Sequence, residues 1–216
     1  MYIYNMEDTN ITSPPIFWFD DDSFVSIIKN NLPKLFREAE LETMRGGKVG
    51  MEVGGLRERI LISCLIKRFG KDINTNFGTT DNSKDVKVFE DVLSIKTFSN
   101  DAYGGLKVFW ASDNQIVDKV ITNYKPQNNL LIAQIKWGKE GGGLYYVPLS
   151  VQNEYFEKHG VSKYLKRNTG NNRGISIDKE ILISMLNNPN TKRIDIEWNH
   201  NEDTIDVYER WINKIV

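Results

Sequence analysis

Two carboxylates and a lysine are spaced along this chain as a metal-assisted hydrolytic site would need them. Glu58 lies in helical phase with Leu61 and Leu65, so its side chain is expected on the inward face of a helix. Asp85 opens a segment of alternating polar and apolar residues, and Lys96 lies on the next such segment. Carboxylate oxygens bind divalent cations, and an adjacent lysine can orient water or neutralise an anion. The spacing therefore predicts a site that binds a cation and activates water.

Each of these residues also has an ordinary structural interpretation. An inward glutamate needs a positive partner, which could be an arginine or a buried lysine instead of a metal ion. Asp85 taken alone is a common acid at the start of a strand. Ser94 and Lys96 are two residues apart and share one face of a strand, where a buried lysine is unfavourable without a carboxylate or phosphate partner. The hypothesis of a site depends on all of them together.

The predicted elements place these residues on a helix and two successive strands. Apolar spacing predicts helices over residues 22–42, with Pro33 kinking or dividing the helix, and over 56–69, 113–124, 151–158, 178–186 and 203–215. Alternation predicts strands over 85–89, 92–97, 106–110, 130–137, 144–148 and 193–198, with polar loops at 71–84 and 167–173. This order predicts an α/β fold with a central mixed β-sheet flanked by helices in three layers.

Composition limits the possible classes of protein. The chain has 216 residues, of which 40% are hydrophobic, and a formal net charge of −1, which is typical of a single globular domain over residues 1–216. Its single cysteine, Cys64, excludes a disulfide framework and favours a reducing, cytoplasmic setting. No apolar run reaches membrane-spanning length, and the first residues lack the pattern of a signal peptide. His159 and His200 lack metal-ligand spacing, which argues against a zinc site.

The order of these residues resembles the PD-(D/E)xK nuclease core. Asp85 stands for the acid at the first strand, Ser94-Ile95-Lys96 for the acid-x-lysine triplet, and Glu58 for the glutamate of the preceding helix. No proline precedes Asp85, and Ser94 replaces the second acid, a variation of restriction-enzyme branches in which the helix glutamate supplies a carboxylate. The resemblance covers residues 50–150. Chain length and the glycine-rich approach to Glu58 are similar to type II restriction endonucleases, in particular the ThaI branch.

The resemblance implies a Mg²⁺-dependent endonuclease that cleaves double-stranded DNA at a short, palindromic sequence and leaves 5′-phosphates. Glu58 and Asp85 would hold Mg²⁺. Lys96 would orient or deprotonate the attacking water or neutralise the phosphate, and Ser94 would hold an outer-shell water. A homodimer, at least on DNA, and a cognate DNA methyltransferase are the expected partners. The alternatives are a repair or junction-resolving nuclease and a non-catalytic DNA-binding or protein-interaction module on a decayed nuclease fold.

Two basic segments are the predicted DNA contacts. Residues 163–176 combine arginines, which pair with guanine edges, and asparagines, which pair with adenine edges, so the predicted contacts are Arg167, Asn168, Asn171, Asn172 and Arg173. Residues 44–51 combine glycines that allow close backbone approach with methionines that can wedge between base pairs, so the predicted contacts are Met44, Arg45, Lys48 and Met51. The alternatives are phosphate contacts or plain surface for the loop and core packing for the methionines.

A second acid-and-lysine pattern competes with the first. Gln134-Ile135-Lys136 lies on a predicted strand, with Asp113 or Asp118 upstream. We rank it lower because the intervening residues are predicted to be helical, whereas the nuclease pattern requires adjacent strands. Gln134 and Lys136 are instead expected further along the sheet, near the substrate.

Overall fold

The computed structural model describes residues 18–77, 84–99, 105–110, 113–168, 173–199 and 212. Its helices are α1 (Asp22–Thr43), α2 (Val53–Phe69), α3 (Asn114–Asn123), α4 (Leu149–His159), α5 (Val161–Tyr164) and α6 (Lys179–Leu186), with a 3-10 turn over Gly70–Asp72. Its strands are β1 (Ile73–Asn74), β2 (Val86–Val88), β3 (Asp91–Ser99), β4 (Leu106–Trp110), β5 (Asn129–Ile135), β6 (Gly143–Val147), β7 (Leu165–Arg167), β8 (Gly174–Ile177) and β9 (Lys192–Asp195). None of the helices in these ranges combines the length and apolar character that a bilayer crossing requires.

Six strands form a mixed central sheet in the order β1-β2-β3-β5-β6-β9. β3 and β5 are parallel, and the other neighbouring pairs are antiparallel. Leu131 and Ala133 of β5 pack with the apolar faces of α1 and α2, whereas Leu130 and Ile132 pack with α3, α4, α5 and α6 on the opposite side. The predicted α/β fold with a central mixed sheet flanked by helices is confirmed.

Helix α1 is longer and more continuous than the sequence predicts. The Asp21 side chain caps it by accepting a hydrogen bond of 2.7 Å from the Phe24 backbone N–H. The helix continues through Pro33 without a break, so of the two expected effects of this proline, a kink or a division, the division is wrong. Leu32 and Phe36, on either side of the proline, are fully buried, and this packing offsets the lost backbone hydrogen bond.

A second sheet of three strands, in the order β4-β8-β7, corrects the prediction for the C-terminal part. The predicted strand 106–110 is confirmed as β4, but it pairs with β8 and not with the central sheet. β7 and β8 pair antiparallel on either side of the predicted loop 167–173. Strands of three and four residues are too short to show alternation in the sequence. The predicted helix 203–215 lies outside the described residues.

Candidate active site

The candidate active site lies where β2 stops pairing with β3. β2 pairs only with the first residues of β3, from Asp91 to Leu93. Just before β2, the Asp85 backbone N–H donates to the Leu93 carbonyl at 2.9 Å. Two residues further along β3, the Asp85 side chain supplies the acceptor that a neighbouring strand would otherwise provide. Its Oδ2 accepts a hydrogen bond of 2.6 Å from the Ile95 N–H. The end of a short strand therefore fixes this carboxylate against the part of β3 that β2 does not reach.

Three donors from β3 converge on Asp85 Oδ2. Besides the Ile95 N–H, Ser94 Oγ donates at 3.2 Å and Lys96 Nζ at 3.3 Å. Lys96 Nζ also donates to the Ile95 carbonyl oxygen at 2.8 Å. The side chains of Asp85 and Lys96 are 14% and 23% exposed, so a substrate can still reach this ion pair. The structure thus brings Asp85, Ser94 and Lys96 together, as the spacing predicts, and adds the Ile95 backbone to them.

Glu58 approaches the same place from α2. It lies one turn before Leu61 and two turns before Leu65, both fully buried, and is itself half-buried. Burial raises the pKa of Glu58, and the nearby Asp85 carboxylate raises this pKa further, while Lys96 and Arg59 act in the opposite direction. The charges of Asp85 and Lys96 therefore act on Glu58, although the residues come from different elements.

Of the two arginines that flank Glu58, Arg57 does not serve as its partner. Arg57 is directed at α1, where its guanidinium forms a buried ion pair with Glu40 Oε1. Trp137 Nε1 donates to the same oxygen at 2.8 Å, and Arg37 Nη1 donates to Oε2 at 3.4 Å. Neutralisation of Glu58 by Arg57, one of the structural alternatives for this helix, does not occur because Arg57 is already paired with Glu40.

The donor set at Asp85 and Glu58 fits a hard divalent cation that keeps part of its water shell. Two carboxylates supply oxygen ligands, and a bound cation would offset the repulsion by which Asp85, after burial, raises the pKa of Glu58. Within the described ranges no group of three or more His, Cys, Asp or Glu side chains is arranged to hold a metal ion. Water and substrate oxygens would complete the coordination.

A cavity of about 400 Å³ opens beside Ser94 and Lys96, on the face of the sheet opposite α2. Its other charged lining residues are Lys119 of α3 and Lys125, and its apolar wall includes Phe109 of β4. Sequence reasoning missed both lysines. The sequence pattern that could have indicated Lys119 is its helical spacing with Asn123, because residues four apart lie on the same side of α3.

The competing acid-and-lysine pattern is not assembled. Asp113 caps α3 by accepting from the Ile116 N–H at 2.9 Å, and Asp118 forms an ion pair with Arg167. Tyr145 donates its hydroxyl hydrogen to Gln134 at 3.2 Å. In the register of β3 with β5, Gln134 lies opposite Phe98, two residues beyond Lys96 along the sheet.

The segment 44–51 forms a tight turn ahead of α2. Arg45 and Lys48 pair across it in an isolated β-bridge, which Gly46 and Gly47 allow because both have a positive φ, 55° and 76°. The two methionines differ in exposure: Met44 is half-buried at the end of α1, whereas the side chain of Met51 is 94% exposed. Met51 is therefore the methionine of this pair that can reach a partner molecule.

The segment 163–176 connects β7 to β8, and several of its described polar side chains contact other residues of the protein. Arg167 pairs with Asp118, and Asn168 Oδ1 accepts from Ser176 Oγ at 2.7 Å. The guanidinium carbon of Arg173 lies 4.9 Å from the centroid of the Trp110 ring. The predicted contacts Asn171 and Asn172 lie outside the described residues.

Comparison with known proteins assigns the class. A family model described as "Restriction endonuclease ThaI" matches residues 18–215. A solved structure described as "Restriction endonuclease in complex with substrate DNA" is 36% identical, with a TM-score of 0.82 over 92% of this chain and 97% of that one. Comparison with curated proteins gave no significant match.

The fold and these matches define a restriction endonuclease, which is a sequence-specific DNA endonuclease. The chain belongs to the restriction endonuclease ThaI family.

Proposed function

We propose that this protein is a Mg²⁺-dependent type II restriction endonuclease of the PD-(D/E)xK type. It would hydrolyse double-stranded DNA at a short palindromic sequence and leave 5′-phosphates. The observation that carries this proposal is the convergence of Ser94, the Ile95 N–H and Lys96 on one oxygen of Asp85, beside the half-buried Glu58.

The roles of the residues follow from their contacts. Because three donors occupy Asp85 Oδ2, we assign Oδ1 of Asp85, together with Glu58, to the cation. When bound, Mg²⁺ would stabilise negative charge on the phosphate and lower the pKa of a water molecule. Lys96, held by Asp85 and the Ile95 carbonyl, is placed to orient the attacking water or to neutralise a phosphate oxygen. Ser94 would hold an outer-shell water.

DNA recognition is assigned to the two predicted segments. Met51, with Arg45 and Lys48 close by in the chain, would contact the duplex from the side of α2. The loop 163–176 would read base edges through Arg167, Asn168, Asn171, Asn172 and Arg173. We propose that residues 1–216 act as a single nuclease domain, with catalytic residues between 50 and 150.

The proposed function implies two partners, a second copy of the chain and a DNA methyltransferase. A palindromic site requires two catalytic centres on opposite strands, which a two-fold homodimer on DNA supplies. A cognate DNA methyltransferase would protect the host sequence. Both partners, and the cytoplasmic location, remain predictions.

The test is cleavage of a mixed-sequence plasmid with Mg²⁺, followed by sequencing of the fragment ends. We expect ends that share one short palindrome and carry 5′-phosphates. Asp85→Asn is the matched control, since it keeps an oxygen acceptor for the Ile95 N–H but removes the charge. Cuts at branch points irrespective of sequence would indicate a junction-resolving nuclease, and equal cleavage by wild type and Asp85→Asn would exclude the proposed site.

A further inference from the structure

Trp110 is an exposed aromatic residue whose position calls for an explanation. It is the last residue of β4, an edge strand of the three-stranded sheet, and 50% of its surface is exposed. The two residues before it, Val108 and Phe109, are partly buried against the second apolar cluster. Tryptophan combines a large apolar ring with a polar N–H and is enriched at binding surfaces, so an exposed ring can serve a binding role.

The ring of Trp110 is covered on one side by Arg173. Strand pairing sets Trp110 opposite Gly174, so Arg173 follows the loop and directly precedes the paired residue. Its guanidinium carbon is 4.9 Å from the ring centroid, inside the distance of about 6 Å at which a cation over an indole face is attracted to it. A guanidinium held over an aromatic face keeps its N–H donors in a defined plane, which suits paired recognition of the O6 and N7 atoms of guanine.

Trp110 directly follows residues that line the cavity beside Ser94 and Lys96. Val108 and Phe109, the two residues before Trp110, line the same cavity as Ser94 and Lys96. The pairing register shifts between Lys107 and Phe109, and such a bulge increases strand twist and redirects the residues that follow. The end of β4 therefore carries Trp110 from the wall of that cavity to the surface beside it.

We propose that Trp110 is a positioning residue that orders Arg173 before DNA binds, so that Arg173 reads a guanine close to the scissile phosphate. This inference rests on the proposed function, since it assigns sequence discrimination to the same site. The indole contributes one of the contacts that order the long arginine side chain, so its removal would increase the cost of ordering Arg173 during binding and weaken discrimination. Trp110 itself need not contact a base.

The first experiment measures sequence discrimination. Binding of the preferred duplex and of its single-base variants is measured with Ca²⁺ in place of Mg²⁺, so that binding is read separately from cleavage. We expect Trp110→Ala and Trp110→Leu to lower the preference for guanine at one position roughly five- to tenfold, the range of a partly buried cation–π contact. Trp110→Phe, which keeps an aromatic face, should stay within about twofold of wild type.

Two further variants separate positioning from general stability. Arg173→Ala should lose discrimination at the same base position, and adding Trp110→Ala to it should cause little further loss, because both act through one contact. Arg193 is the matched control, since its guanidinium lies 5.2 Å from the Tyr145 ring on the central sheet, and Arg193→Ala should leave discrimination at that position unchanged. Equal weakening on every duplex, or additive losses, would overturn the inference.

The second experiment does not depend on DNA. In the free protein, the Nε–H resonance of Arg173 should show restricted motion in wild type and in Trp110→Phe, and greater motion in Trp110→Ala. Unchanged motion in Trp110→Ala would refute the positioning role. If wild type binds all duplexes alike, the proposed function fails and the inference fails with it. If wild type discriminates and Trp110→Ala does so equally well, only the inference fails.

Discussion

Two adjacent residues of α2, Arg57 and Glu58, lie in regions that differ in the charge of their neighbours. Arg57 is buried against an opposite charge, whereas Glu58 is half-buried near a like charge. Arg57 and Glu40 are 4% and 5% exposed, and they form an ion pair inside the protein. The Trp137 indole N–H adds a third polar contact to that pair. Glu58, one residue further, lies half-buried near a second carboxylate, Asp85.

The difference between the two regions is the balance of charge. Burial lowers the pKa of Arg57, and Glu40 opposes this change because each charge stabilises the other. At Glu58 the larger effects, burial and Asp85, both disfavour ionisation, and the opposing effects of Lys96 and Arg59 are smaller. The Arg57–Glu40 ion pair holds α1 against α2, whereas the two neighbouring carboxylates Glu58 and Asp85 are suited to a bound cation.

The largest expected effect is loss of cleavage in Asp85→Asn. We expect turnover to fall by about 10⁴-fold, roughly 5 kcal/mol of barrier at 1.36 kcal/mol per tenfold, because the side chain keeps its hydrogen bond but loses its charge. Single-turnover cleavage of plasmid DNA measures this, and circular dichroism checks the fold. Glu90→Gln is the control, because Glu90 is an exposed acid on the turn between β2 and β3, at the end of β2 opposite to Asp85, and should be dispensable. Turnover near the wild-type level in Asp85→Asn would show that Asp85 is not part of a catalytic cation site.

Substitutions in the Arg57–Glu40 ion pair should change the stability of the fold. Arg57→Met leaves the Glu40 carboxylate buried without its main partner, so we expect a loss of about 3–5 kcal/mol in the free energy of unfolding, measured in urea. The double variant Glu40→Gln/Arg57→Met should recover most of it, because glutamine keeps an acceptor for the Trp137 N–H. A stable double variant that no longer cleaves DNA would show that the ion pair is also part of the active site.

Divalent cations should stabilise the protein by binding at the Glu58 and Asp85 carboxylates and not at the Arg57–Glu40 ion pair. A cation that binds only the folded protein stabilises it by about 2.7 kcal/mol at a hundred times its dissociation constant. We therefore expect Mg²⁺ to raise the melting temperature of wild type and of Glu90→Gln but not of Asp85→Asn. Calorimetric melting with and without the ion measures the shift, and an undiminished shift in Asp85→Asn would place the cation elsewhere.

The smallest expected effect is the contribution of Glu58 to the pH dependence of stability in the metal-free protein. A carboxyl whose pKa is raised by folding binds more protons when folded than when unfolded, so stability falls as the pH rises from the ordinary glutamate pKa through the raised value. Glu58→Gln should remove this part of the pH dependence and stabilise the metal-free protein at neutral pH by about 1 kcal/mol or less, the scale of a partly exposed charge interaction. Unfolding at several pH values with a chelator tests it, and destabilisation by Glu58→Gln would contradict the proposed like-charge contact.

Local sequence patterns were sufficient for the elements that carry the candidate site. Helical spacing placed Glu58 on the inward side of α2, and Gly70, with its positive φ of 56°, ends that helix as predicted. Alternation placed Ser94 and Lys96 on one face of β3, and the mixed central sheet followed from the order of strands and helices. These features depend on periodicity within a few residues, which the chain displays without knowledge of its partners.

Only the tertiary structure decided which charges meet. The Glu40–Arg57 contact joins residues 17 apart, and the Trp137–Glu40 contact joins residues 97 apart, distances over which no periodicity carries information. The second sheet, the stacking of Arg173 on Trp110 and the capture of Asp85 by the Ile95 N–H likewise depend on strands too short or too distant to recognise in sequence. The sequence alone determined which residue types could do chemistry and which way each element presents them. Packing determined their partners, because the free energy of a buried charge depends on the groups that surround it in the folded protein.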